Sequence, residues 1–183
     1  MMILHRLFRL SHREQGFTLL ELVIGIAIGG LISLAVGSLM VMMFKVNAGS
    51  LSRSDAIRQV QNVGLWVSED VQSAQNITIG GAHVLEVTWA DWDGTRYKVD
   101  YDYDTVITGE LFRKYYSTTT GVFPANPTSQ MMIGQYINHA GTSITLSGGM
   151  YNLTVTATVA GLSANGQPVT ETRTYKIFSR PGS

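Results

Sequence analysis

The chain has no cysteine, few charges and only four prolines, none of them before Pro124. Without thiols there is no disulfide framework, no thiolate metal site and no cysteine nucleophile. Charged residues make up 14% of the 183, against about 25% in ordinary soluble domains. The 13 Lys+Arg balance the 13 Asp+Glu, so the electrostatic footprint of a nucleic-acid binder is missing. No HExxH, GxSxG or phosphate-loop pattern occurs, and His83 and His139 lie in unrelated sequence contexts. No enzyme constellation and no cofactor are therefore expected.

The shortage of charge has a location. Leu22 to Phe44 is an uninterrupted run of uncharged residues, mostly Leu, Ile, Val, Ala, Gly and Met. As a helix it would be about 35 Å long, enough to cross a hydrocarbon core of about 30 Å with some tilt. Arg6, Arg9 and Arg13 precede it, whereas Lys45, Arg53 and Arg58 follow at wider spacing and mixed with Asp55. The positive-inside rule then places residues 1–16 in the cytoplasm and the C-terminal bulk outside. A secretory signal would have a shorter apolar region and a small-residue cleavage site after it, so the helix is expected to stay in the mature protein. The remaining length suits one modest domain rather than a multidomain enzyme.

Glu21 stands at the edge of this span. A carboxylate is disfavoured in low dielectric, so it either snorkels to the headgroups, marks a span that begins at Leu22, or has a partner. The letters around it, Gly16-Phe17-Thr18-Leu19-Leu20-Glu21-Leu22-Val23-Ile24, follow a short basic leader and open a long apolar helix. This segment closely resembles the prepilin motif of type IV pilins and type II secretion pseudopilins. The resemblance implies cleavage between Gly16 and Phe17 by a membrane prepilin peptidase, methylation of the new Phe17 amine, and a mature chain of residues 17–183. It also implies an assembly role for Glu21, whose carboxylate would attract the N-terminal ammonium of a neighbouring subunit in a low-dielectric helical stack. Gly25, Gly29, Gly30 and Gly37 dot the same helix, read either as close helix approach and flexibility or as ordinary membrane-helix composition. The mid-helix proline of many pilins is replaced by the region of Ser38.

Beyond the membrane the pattern stays helical. Ile57, Val60, Gly64, Val67, Val71 and Ala74 recur at three- and four-residue steps, with Arg58, Gln59, Gln61, Glu69 and Asp70 largely on other faces. A helix from Phe17 to about Gln75 would be about 88 Å long, with Val46 to Ser54 its weakest part. From Asn76 the composition favours strands. Expected strands are His83 to Ala90, Arg96 to Asp104, Leu111 to Tyr116, Tyr151 to Val159 and Val169 to Phe178. Gly121 to Asn138 reads as a loop, and a Gly/Asn-rich connection spans Gly161 to Pro168. The expected fold is α+β, with a long N-terminal helix packed on a mostly antiparallel β-sheet head. Its expected divisions are a leader at 1–16, a transmembrane and assembly helix at 17–45, an amphipathic continuation at 46–75 and a β-rich head at 76–183.

Two candidate sites lie in the head. Asp91-Trp92-Asp93-Gly94-Thr95 has the alternating carboxylates and glycine of a calcium loop, but the twelfth position, Asp102, falls inside a strand pattern. A hairpin turn is the favoured reading, since Asp-Gly is a strong hairpin signal. Lys98, Asp100, Asp102 and Asp104 alternate with Val99, Tyr101 and Tyr103, and the acidic face reads as a solvated edge, with cation binding or partner docking as the alternatives. Tyr97, Tyr101, Tyr103, Tyr115 and Tyr116 suggest sheet packing or, alternatively, a stacking surface for sugar or nucleic acid. Asn76-Ile77-Thr78 and Asn152-Leu153-Thr154 match the weak glycosylation pattern.

The order of the β region, the phrase Gly109-Glu110-Leu111-Phe112-Arg113 and the ending Phe178-Ser179-Arg180-Pro181-Gly182 resemble J-type or W-type minor pilins. That resemblance implies a structural subunit in the tip or initiation complex of a type II secretion pseudopilus or type IV pilus. The implied partners are a prepilin peptidase/methyltransferase, other minor and major pilins, an inner-membrane assembly platform and membrane lipid, with no nucleic acid. The competing class is a pilin-like membrane-anchored binding module for adhesion or DNA uptake, which an exposed aromatic or basic patch on the head would favour.

Overall fold

The computed structural model describes residues 17–104, 108–160 and 167–179. The leader at 1–16, most of the Gly161 to Pro168 connection and the last four residues therefore lie outside the described residues.

A single helix, α1 (Leu19–Ser73), is followed by eight strands: β1 (Asn76–Ile79), β2 (Leu85–Ala90), β3 (Arg96–Tyr103), β4 (Leu111–Thr118), β5 (Ser129–Gly134), β6 (Ser143–Ser147), β7 (Met150–Val159) and β8 (Val169–Phe178). The chain divides into two compact units, which meet at Met43/Phe44. In the first unit every described residue is exposed, and α1 alone among the described helices is long and apolar enough to cross a membrane. Among the described residues Leu22, Ile26, Leu31 and Leu34 are all exposed, an apolar surface that suits membrane anchoring.

In the second unit the rest of α1 packs on antiparallel strands, an α+β arrangement as expected. The strands form two sheets rather than one, ordered β1-β2-β3-β4-β5 and β6-β7-β8. An isolated antiparallel bridge ties Ile137, just after β5, to Ala157 of β7. The buried helical stripe is Ala56, Val60, Val63, Val67, Val71 and Ala74, against Leu85, Val87, Val99, Leu111 and Ile133 of the first sheet and Ile144, Leu153, Val155 and Ile177 of the second. Gly64 lies against the ring of Tyr175, where a Cβ would collide with it, and the Tyr175 hydroxyl donates to the Val60 carbonyl at 3.1 Å.

Several elements depart from expectation. The Gly121 to Asn138 segment contains β5, whose edge position asks little of its Ser-Gln-Met-Met-Ile-Gly sequence beyond burying Ile133 and Gly134. β1 and β6 are further short edge strands. β2 starts at Leu85 rather than His83, β4 runs on to Thr118, and α1 passes through Val46 to Ser54 as unbroken helix. Asp70, expected on a solvent face, is 5% exposed and belongs to the buried stripe.

Candidate functional site

At the N-terminal end, Phe17 is fully presented to solvent and Thr18 precedes the first turn of α1. Thr18 and Glu21 form a reciprocal capping box: Glu21 Oε2 accepts from the Thr18 backbone N–H and hydroxyl, both at 3.0 Å, while the Thr18 hydroxyl accepts from Glu21 N–H at 3.3 Å. Two of the helix's orphan donors are thereby satisfied by a Thr-x-x-Glu pattern. The acidic side chain also lies in the first turn, where the helix dipole favours it. Gly16 lies outside the described residues.

The head carries two ionic assemblies, one on each face of the first sheet. On the helix-facing side Asp70 is held by Arg113, with Nε to Oδ2 at 2.7 Å and Nη2 to Oδ1 at 2.8 Å, and the Tyr101 hydroxyl donates to the same Oδ2. The guanidinium lies 5.1 Å from the Trp66 ring and 5.6 Å from that of Tyr115. Burial pushes the Tyr101 hydroxyl well above the usual phenol range, and the Asp70 charge adds to this. The hydrogen bond to Asp70 raises Arg113, against a smaller opposing effect of burial. This assembly fastens α1 to β3 and β4.

The opposite face is the acidic one, and the solvated-edge expectation for it is corrected. β3 is the central strand of five, so long side chains from both neighbours close over it. Asp100 is completely buried. Lys98 Nζ sits 2.7 Å from Asp100 Oδ2 and 3.9 Å from Glu86 Oε2, Lys114 Nζ is 2.9 Å from Asp102 Oδ2, and His83 Nδ1 is 2.6 Å from Asp102 Oδ1. Lys98 also lies 4.4 Å from the centre of the Tyr116 ring and 5.8 Å from that of Phe123. Burial works against the Lys98 ammonium, but the Asp100 hydrogen bond and the charges of Asp100 and Glu86 outweigh it and raise its pKa.

The two histidines, unrelated in sequence, line one groove with Asp102, Tyr103 and Lys114, and the His139 ring lies 4.2 Å from that of Tyr103. The tyrosines divide between faces. Tyr97 and Tyr115 stack at 6.0 Å beside Trp89, Tyr101 is buried, and Tyr116 lies across from Lys98 on the other side. They form no common stacking surface.

Asp91 and Asp93 occupy the β2–β3 hairpin. Asp91 N–H donates to Thr95 O at 2.9 Å, Gly94 N–H to Asp91 O at 3.1 Å, and Thr95 N–H to Asp93 Oδ1 at 2.8 Å, with Gly94 at φ 85°. Both acids thus serve the turn through backbone or side chain. Among the described residues, the ligand atoms that converge as a possible metal set belong to His83, Glu86 and Asp100 instead.

Residues 11–43 match the family model of the prokaryotic N-terminal methylation motif. The likeness is confined to this N-terminal segment. The matched segment contains Gly16, Phe17, Glu21 and the exposed apolar part of α1, and it stops before the head. No curated protein and no solved structure matches the chain. This motif was legible from its letters, whereas the Asp70 and Asp100 assemblies were not. Their only sequence signal is an acid inside an apolar helical stripe and a histidine two residues before a strand.

Proposed function

We propose that the chain is a minor pilin or pseudopilin, a structural subunit inserted in the cytoplasmic membrane and then built into a filament. The observation that carries this reading is the methylation-motif match over residues 11–43, joined to an apolar helix whose side chains have no cover within the chain. Prepilin peptidase cuts between Gly16 and Phe17 and methylates the Phe17 amine. The 1–16 leader stays in the cytoplasm and the head lies outside. Glu21 then meets the amine of a neighbouring subunit, and the apolar helices of other minor and major pilins replace lipid around α1 at the assembly platform. The J-type or W-type resemblance of Gly109 to Arg113 supports a position in the tip or initiation complex.

The test is affinity capture of a tagged form from native membranes, with mass spectrometry of the N-terminus and of co-purifying proteins. The expected result is a chain starting at methylated Phe17 together with other pilins. A retained 1–16 leader and no pilin partners would overturn the reading.

A further inference from the structure

Glu86 and Asp100 are directly paired across β2 and β3 on the same face. Two carboxylates so placed repel one another, and one of them is completely buried. His83 comes into the same space. Its Nδ1 lies 2.6 Å from an Asp102 oxygen; a carboxylate can only accept, so Nδ1 carries the proton. In the neutral ring the other nitrogen, Nε2, then holds a lone pair, and it faces Asp100 Oδ2 at 3.5 Å. With the ring neutral, acceptor opposes acceptor there, an arrangement that a cation between them would relieve. Lys98 meets that need only in part, because its ammonium contacts Asp100 and stands 3.9 Å from Glu86. Asp100 Oδ1 is buried and has no hydrogen-bond partner, a vacancy that native interiors rarely leave unexplained.

From this geometry we propose that His83 Nε2, Glu86 and Asp100 bind a borderline divalent cation of the zinc class. Their ligand atoms all lie within 4.8 Å of one another. The 3.5 Å between His83 and Asp100 is close to the edge of about 3.4 Å set by tetrahedral ligands at about 2.0–2.1 Å. One imidazole and two carboxylates suit zinc, whereas calcium would want about six to eight oxygens. Asp102 takes the supporting role, orienting the imidazole through Nδ1 as outer carboxylates do around metal-bound histidines. Lys98 is the competitor. Binding displaces its ammonium, which in this structure contacts Asp100 while lying beside the Tyr116 and Phe123 rings. The site does not depend on the pilin reading of the N-terminus.

The experiment uses the tag-free full chain in detergent, stripped with chelator and titrated with zinc by calorimetry and thermal melting. Cobalt is added in parallel for its visible spectrum. We expect saturation at one zinc per chain, a higher melting temperature and a tetrahedral cobalt spectrum. His83→Ala abolishes all three, each read against the variant's own metal-free melt, because the substitution also removes the 2.6 Å contact with Asp102. Asp102→Asn weakens binding by about 10–100-fold, and Lys98→Met tightens it by removing the competing charge. A wild-type chain without a saturable response would overturn the proposal. Binding that survives His83→Ala, or that Lys98→Met leaves unchanged, would overturn it equally.

Discussion

Removing the Arg113 side chain tests the ionic clamp between α1 and the first sheet. Asp70 and Arg113 are 7% and 14% exposed at their side chains, so solvent screens the pair little. Arg113→Ala strips Asp70 of a bidentate partner and leaves the Tyr101 hydroxyl as its remaining hydrogen bond from the assembly. Breaking a buried pair from one side costs about 3–5 kcal/mol. For a unit spanning Phe44 to Ser183, about 3 °C of melting temperature accompanies each kcal/mol, so the expected drop is roughly 10–15 °C. Asp70→Ala should cost less, because the stranded guanidinium keeps its contacts with the Trp66 and Tyr115 rings. Replacing all three polar partners together, as Asp70→Leu, Tyr101→Phe and Arg113→Met, removes every unmatched group and should recover most of the loss. The assay is thermal unfolding of the full chain in detergent, followed by near-ultraviolet circular dichroism. A drop under about 3 °C for Arg113→Ala, or a triple variant as unstable as the worst single one, would refute the reasoning.

Three other outcomes are expected. Glu21→Ala should leave processing largely intact and reduce incorporation with other pilins; normal co-purification would count against the assembly role. Gly64→Ala drives a methyl into the Tyr175 ring and should destabilise the head by about 1–3 kcal/mol, measured by denaturant midpoint; an unchanged midpoint would show that the ring yields freely. In alkali the head should lose stability as pH rises above about 10. Tyr101 is raised on folding by burial and by Asp70, so above the ordinary phenol value the unfolded state binds fewer protons and is favoured. Tyr101→Phe should flatten that decline, and an identical alkaline profile would contradict it.

The sequence was most legible where a local rule acts alone. The prepilin-type letters, the three- and four-residue stripe from Val60 to Ala74 and the alternation of β8 each need only a few neighbouring residues to be recognised. β5 was missed because Ser129 to Gly134 has one β-branched residue and lies in a proline-containing stretch; pairing with β4 makes it a strand. Asp100 was misread for a related reason. Alternating charge along a strand looks like a wet face until the strand proves central and His83, Lys98 and Lys114 close over it. Asp70 looked like a helix-surface acid, and Arg113, 43 residues away, together with Tyr101, 31 residues away, makes its burial tolerable. The site in the head depends on such long-range pairings, whereas the N-terminal motif does not.

If Glu21 has the proposed assembly role, the capping box gives that step a different thermodynamic character. The Glu21 carboxylate is not a free charge waiting for a partner, since it already accepts two hydrogen bonds from Thr18. A neighbour's ammonium must therefore share or displace those bonds, and docking becomes an exchange of local for intermolecular contacts. Thr18 lies beyond the proposed cut after Gly16, so cleavage leaves the clasp intact while creating the competitor for it. On that proposal the net free energy of each such contact would be small, and a subunit would sample neighbours reversibly before the rest of the helix committed it.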